Sequence, residues 1–71
     1  MAGIPLPIGR LWKLRRVAAD LRQQDVAGGI GISTTRYSAL ERGEIDPTDL
    51  ERRRIDQLLP TLPQEILGGQ I

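Results

Sequence analysis

The chain has no cysteine and no histidine. Without cysteine there is neither a disulfide nor a thiolate, and without histidine as well the usual nucleophile–base pairs and zinc ligand sets are out of reach. Ser33 and Ser38 have no evident base beside them in the sequence. These absences argue against an enzyme, and no metal or cofactor is expected. The lack of cysteine is compatible with a reducing compartment. Long apolar runs are also missing: none approaches the ~20 residues of a membrane span. Met1 to Pro5 lack the basic n-region of a secretion signal, so a cytoplasmic protein is expected. Charge of one sign is scarce too, with a formal net charge of only +1.

What is present fits one small domain. Seventy-one residues bury a modest fraction of their surface, so stability should be slim or shared with a partner. Residues 1–8, with Pro5 and Pro7, read as an extended arm. Residues 9–59 read as the folded domain and 60–71 as a tail. The first helix should cover residues 9–20, where Leu11, Leu14, Val17, Ala18 and Leu21 form an apolar stripe opposite Trp12, Arg16 and Ala19. A second helix should cover 23–29, with Gly31 as the turn, since glycine takes positive φ at little steric cost. Ser33 is a good N-cap for a third helix that ends near Gly43. Residues 47–59 read as a fourth helix with an imperfect core face of Leu50, Ile55, Leu58 and Leu59. Its Arg52-Arg53-Arg54 run reads as a solvated face with Asp49 and Glu51 as intrahelical partners. Pro60 ends it, and a short fifth helix is expected over 63–67 within a tail whose Leu62, Ile66, Leu67 and Ile71 would either cap the core or make a dimer contact. The fold class is therefore all-α, a compact bundle of about five short helices.

The third helix sorts its residues sharply at ~100° per residue. Tyr37 and Leu40 fall together with Glu41 beside them, while Thr35, Ala39 and Arg42 lie opposite, flanked by Ser38. Thr34 and Arg36 sit at the edges of the first turn. The outward side is short, mostly polar and ends in a cation. Such a face can enter a major groove, where hydroxyls and methyl groups meet base edges and arginine meets guanine or phosphate. An ordinary solvated helix shows the same amphipathic pattern.

The residues from Leu21 to Gly43 resemble, without a gap, the phage-repressor and Cro-type helix-turn-helix family. Members typically read Leu-Ser-Gln-Glu-Glu-Leu-Ala, then Leu-Gly-Val-Ser, then Ile-Ser-x-Ile-Glu-x-Gly. This chain has Leu21-Arg22-Gln23-Gln24-Asp25-Val26-Ala27, then Ile30-Gly31-Ile32-Ser33, then Tyr37-Ser38-Ala39-Leu40-Glu41-Arg42-Gly43. Pro47 falls where many members place the proline that opens the next helix. With less detail the resemblance runs from about Leu11 to Leu59. There are departures: Gly28 and Gly29 replace helix formers, each costing about 1 kcal/mol relative to alanine, and Ala39 can offer only a methyl contact.

The resemblance implies a lambda-repressor-like fold and a sequence-specific regulator of transcription on double-stranded DNA. The simplest form is a homodimeric repressor on a palindromic operator that blocks RNA polymerase. It implies base-reading positions at Thr34, Thr35 and Ala39, beside which Arg36 is a candidate for a base edge or a neighbouring phosphate. It implies a phosphate-binding position at Gln23, the start of the first motif helix; Arg22, Ser33 and Ser38 are further DNA-backbone candidates, and Arg42 is a candidate for a base edge or a phosphate, nearer the backbone. It also implies an arginine of the first helix paired with Glu41. An ungapped match names Arg16; one extra residue in the following loop names Arg15. Arg15 borders the aliphatic stripe, and burying five aliphatic groups outweighs one indole at ~25 cal/mol per Å², which favours Arg15. The acidic loop Glu44-Ile45-Asp46 is expected to point away from phosphates. The rivals are a protein-binding module on the same fold, such as an antiactivator or adaptor, and a DNA-binding antitoxin.

Overall fold

The structure, a computed structural model, describes residues 7–61. It is all-α, and among the described residues there are four helices and no strand: α1 (Ile8–Ala18), α2 (Gln23–Ile30), α3 (Thr34–Arg42) and α4 (Asp49–Leu58). The fifth helix expected over 63–67, and most of the expected arm, lie outside the described residues. Ile8, assigned to the arm from sequence, is the first residue of α1 and packs at the edge of the core.

Local chemistry sets the boundaries. Pro7 precedes α1, and its carbonyl accepts from the Arg10 and Leu11 amides. α3 begins at Ser33, whose hydroxyl accepts from the Arg36 amide at 3.0 Å. α4 begins two residues after Pro47 with a full capping box: Glu51 N–H donates to the Thr48 hydroxyl, and Thr48 N–H to the Glu51 carboxylate. Three helices end on a left-handed residue, Asp20 (φ 59), Gly31 (φ 81) and Gly43 (φ 74). After α1 the Leu21 amide reaches back to the Arg16 carbonyl, and after α3 the Glu44 amide reaches the Ala39 carbonyl, so the orphan carbonyls are satisfied.

The core consists of Trp12, Val26, Ala27, Ile30, Tyr37, Leu40, Ile55 and Leu59. α3 packs on α1 and α2, and α2 packs on α4. The inward face of α1 differs from the one expected. Trp12 is fully buried, whereas Leu11, Leu14 and Val17 are 37%, 45% and 58% exposed. The face that turns in is Gly9, Trp12 and Arg16. At Gly9 a Cβ would lie 2.3 Å from the Leu40 carbonyl oxygen, so only glycine allows α1 to approach α3 this closely. The indole contributes both a large apolar area and an N–H that finds a partner, donating to Asp56 at 2.9 Å.

That rotation corrects the ion pair. Arg16, and not Arg15, meets Glu41: Nε and Nη2 donate to its two carboxylate oxygens at 2.6 and 3.1 Å. Arg16 Nη1 also donates to the Leu21 carbonyl, and the Gln23 side-chain amide donates to Glu41 at 2.9 Å. Counting aliphatic groups misjudged the face, because a carboxylate only 2% exposed needs a cation reaching it from α1. Burial would raise the Glu41 pKa, but the hydrogen bonds from Arg16 and Gln23 outweigh it and the net direction is down. Arg15 instead clasps the end of α4, donating to the carbonyls of Asp56, Leu59 and Pro60 and to the Asp56 carboxylate.

Two predictions follow from this packing. Gly9→Ala should cost about 1–3 kcal/mol or more by overpacking. Gly28→Ala, where an added Cβ meets nothing within 4 Å, should stabilise by about 0.5–1 kcal/mol. Urea unfolding of both variants checks the pair. By the same measurement Arg16→Ala should cost about 3–5 kcal/mol, because it strands a buried carboxylate. Arg15→Ala should cost less, since the groups it abandons are largely within reach of water.

Candidate DNA interface

α2, the turn at Gly31 and α3 form the helix-turn-helix. Gly31 is left-handed, and the Gly31 and Ile32 amides both donate to the Ala27 carbonyl, which closes α2 and redirects the chain. α3 buries Tyr37, Leu40 and Glu41. Its other side leaves Thr34, Thr35 and Arg42 exposed, with Ser38 and Ala39 half-buried between them. These positions line one side of a short helix held rigidly from behind. The Tyr37 hydroxyl is buried and makes no hydrogen bond of good geometry; desolvation first, with Glu41 alongside, raises its pKa.

The remaining expected site residues lie around this face. Ser33 is exposed, with its hydroxyl oxygen already accepting the cap bond. Arg22 is exposed just before α2, its backbone N–H donating to Asp25 at 2.8 Å. Gln23 turns its side chain inward to Glu41, so what this end can offer outward is the start of the α2 backbone at Gln23 and Gln24; the Asp25 N–H is already taken by the Arg22 carbonyl. A groove of about 700 Å³ runs between α1 and α3, with Leu14, Val17 and Gln23 in its lining and Arg10, Lys13 and Arg42 as its cations.

Two arginines of the face are engaged by carboxylates that sequence reasoning did not assign to them. Arg36 turns toward α4 and grips Glu51 with two N–H groups. Glu51, expected to serve the arginine run of its own helix, instead joins the starts of α3 and α4, since it also holds the Thr48 cap. Arg42 grips Glu44 in the same two-pronged way at 2.8 and 3.0 Å and donates to the Ser38 hydroxyl. Glu44, whose acidic loop is expected to point away from phosphates, thus lies against the exposed arginine at the end of α3. The Glu44 spacing gave a weak hint, because a residue just past a left-handed glycine folds back over the last turn. Nothing in the sequence pointed to the Arg36–Glu51 pair, which spans fifteen positions. Among the described residues Arg10, Lys13, Arg22, Arg52, Arg53 and Arg54 make no ion pair.

A helix-turn-helix family model matches residues 13–66, most of the chain. The chain belongs to the phage-repressor and Cro-type helix-turn-helix family. No curated protein and no solved structure matches it significantly. Membership makes the chain a DNA-binding regulator of transcription, with double-stranded DNA as its partner. Among the described residues no helix is long and apolar enough to cross a membrane.

The Arg36–Glu51 contact makes stability depend on acid. The Arg36 guanidinium holds the Glu51 carboxyl down to about 2 from an ordinary 4.5; burial opposes this, and the Thr48 N–H adds to it. A carboxyl with a depressed folded-state pKa contributes stability fully above its unfolded value, and that contribution disappears as pH falls through the folded one. The melting temperature should therefore fall between about pH 4.5 and about pH 2. Glu51→Gln should start lower and show a shallower fall over that range in a pH series of thermal melts.

Proposed function

We propose that the chain represses transcription as a homodimer on a palindromic operator, with α3 in the major groove. The observation that supports this most is the exposed Thr34–Thr35 end of α3, carried on a helix whose other side is fixed in the core. Repressor-type recognition helices point their N-terminal residues at base edges. In this reading Thr34, Thr35 and Ala39 meet bases, and Arg22, Gln23, Ser33, Ser38 and Arg42 lie along the backbone. Arg36 joins the base contacts only by exchanging Glu51 for DNA. Obstruction of RNA polymerase at the operator is the simplest route to repression. The exposed Leu11, Leu14 and Val17 supply apolar area for a second copy, while the tail residues expected to make the dimer contact lie outside the described residues.

That same apolar face, with the carboxylates on Arg36 and Arg42, favours a second reading: a protein-binding module on this fold, such as an antiactivator or adaptor. The two separate on binding to duplex DNA selected from a random pool, titrated with salt. A DNA reader loses affinity steeply as salt rises. Thr35→Ala should lose about 1–3 kcal/mol of discrimination at one base pair of each half-site. Protection should fall on one face of the duplex, with half-sites about 34 Å apart. No salt-dependent affinity for any duplex would put the protein-binding module first.

A further inference from the structure

The reading face carries two arginine–carboxylate pairs of different character. Arg36–Glu51 is anchored: the Glu51 side chain is only 11% exposed and also accepts the Thr48 cap bond. Arg42–Glu44 is open, its two side chains 54% and 56% exposed. Glu44 has no other hydrogen-bond partner through its side chain among the described residues, and it follows Gly43, the left-handed residue that ends α3. Its two oxygens occupy Nε and Nη2 of Arg42, the planar edge a guanidinium presents to carboxylate or phosphate alike. Nη1 is meanwhile turned to Ser38.

We propose that Glu44 acts as an internal phosphate substitute, occupying Arg42 in the free protein and leaving it when a DNA phosphate takes its place. The inference rests on the DNA-binding reading of α3 and assigns Glu44 a positioning role in it. An exposed surface pair is weak enough to exchange. The exchange has a consequence for ions. A phosphate that meets a free arginine releases its condensed cation. A phosphate that displaces Glu44 hands that cation's task to the freed carboxylate, so Arg42 adds little to the salt dependence. Glu44 thus lowers affinity for every duplex, whatever its sequence, because a phosphate contact carries no sequence information.

The test uses the full chain and four versions: wild type, Glu44→Gln, Arg42→Ala and the double variant. Each is titrated against a random-sequence duplex and a selected duplex from low salt upward, with thermal melts to confirm folding. Glu44→Gln should bind both duplexes several-fold more tightly and steepen the log–log salt slope by about one. Arg42→Ala should flatten the slope by about one in the Glu44→Gln background and by clearly less in the wild-type background. If Glu44→Gln changes neither affinity nor slope, the inference is wrong. It is equally wrong if the gain persists undiminished without Arg42, since Glu44 then acts only as a repelling charge. In both cases wild-type binding to DNA would leave the reading of α3 standing. Absence of salt-dependent binding by wild type and Glu44→Gln alike would instead remove the DNA reading and this inference with it.

Discussion

A single buried carboxylate organises this domain. Glu41 sits on the inner side of α3, and three segments are drawn to it: α1 through Arg16, the start of α2 through Gln23, and the α1–α2 connection through the Leu21 carbonyl that Arg16 also holds. A charge so withdrawn from water is costly unless fully partnered, and here it receives three hydrogen bonds. The rest of the packing conforms to that need. α1 must present an arginine inward, so its aliphatic residues face outward. Gly9 must lack a side chain so that α1 lies close enough for the arginine to reach. Trp12, between them on the same face, fills the space that results.

The outer side of α3 follows a different economy of charge. Its hydroxyls are free of carboxylates, but both of its arginines are held, one firmly by the capping-box glutamate of α4 and one loosely by Glu44 just beyond Gly43. The cations left without an acidic partner among the described residues belong to other segments: Arg10 and Lys13 of α1, which line the groove beside α3, then Arg22, and the arginines of α4. A near-neutral chain can therefore carry an interface whose electrostatic character depends on which pairs open.

Much of the fold was legible in the sequence. Ser33, Gly31 and Gly43 marked the ends of α2 and α3 because each acts through local backbone chemistry. The inward placement of Tyr37, Leu40 and Glu41 followed from helical period alone. α1 was not legible in the same way. Its period offered two faces, and the choice depended on a partner in α3, twenty-five positions from Arg16. The glycine that decided the matter looked like an ordinary helix start. The roles of Glu44 and Glu51 were hidden for a related reason: a carboxylate's nearest neighbour in sequence is a poor guide once a turn brings another guanidinium within reach. The Thr34–Thr35 end of the candidate interface, by contrast, could be located from the cap and the helical period together.

Trp12 is the chain's single tryptophan, buried against the core with its indole N–H held by Asp56 of α4. The protein thus carries one indole fluorophore, placed where α1 meets the end of α4. Its emission reports the clasp between the first and last described helices, and any loosening there exposes the ring to water and shifts the spectrum to the red. A ligand that docks on the outer side of α3 without disturbing this packing should leave the emission unchanged. Native fluorescence can therefore separate a ligand that only docks on α3 from one that pulls the four helices apart.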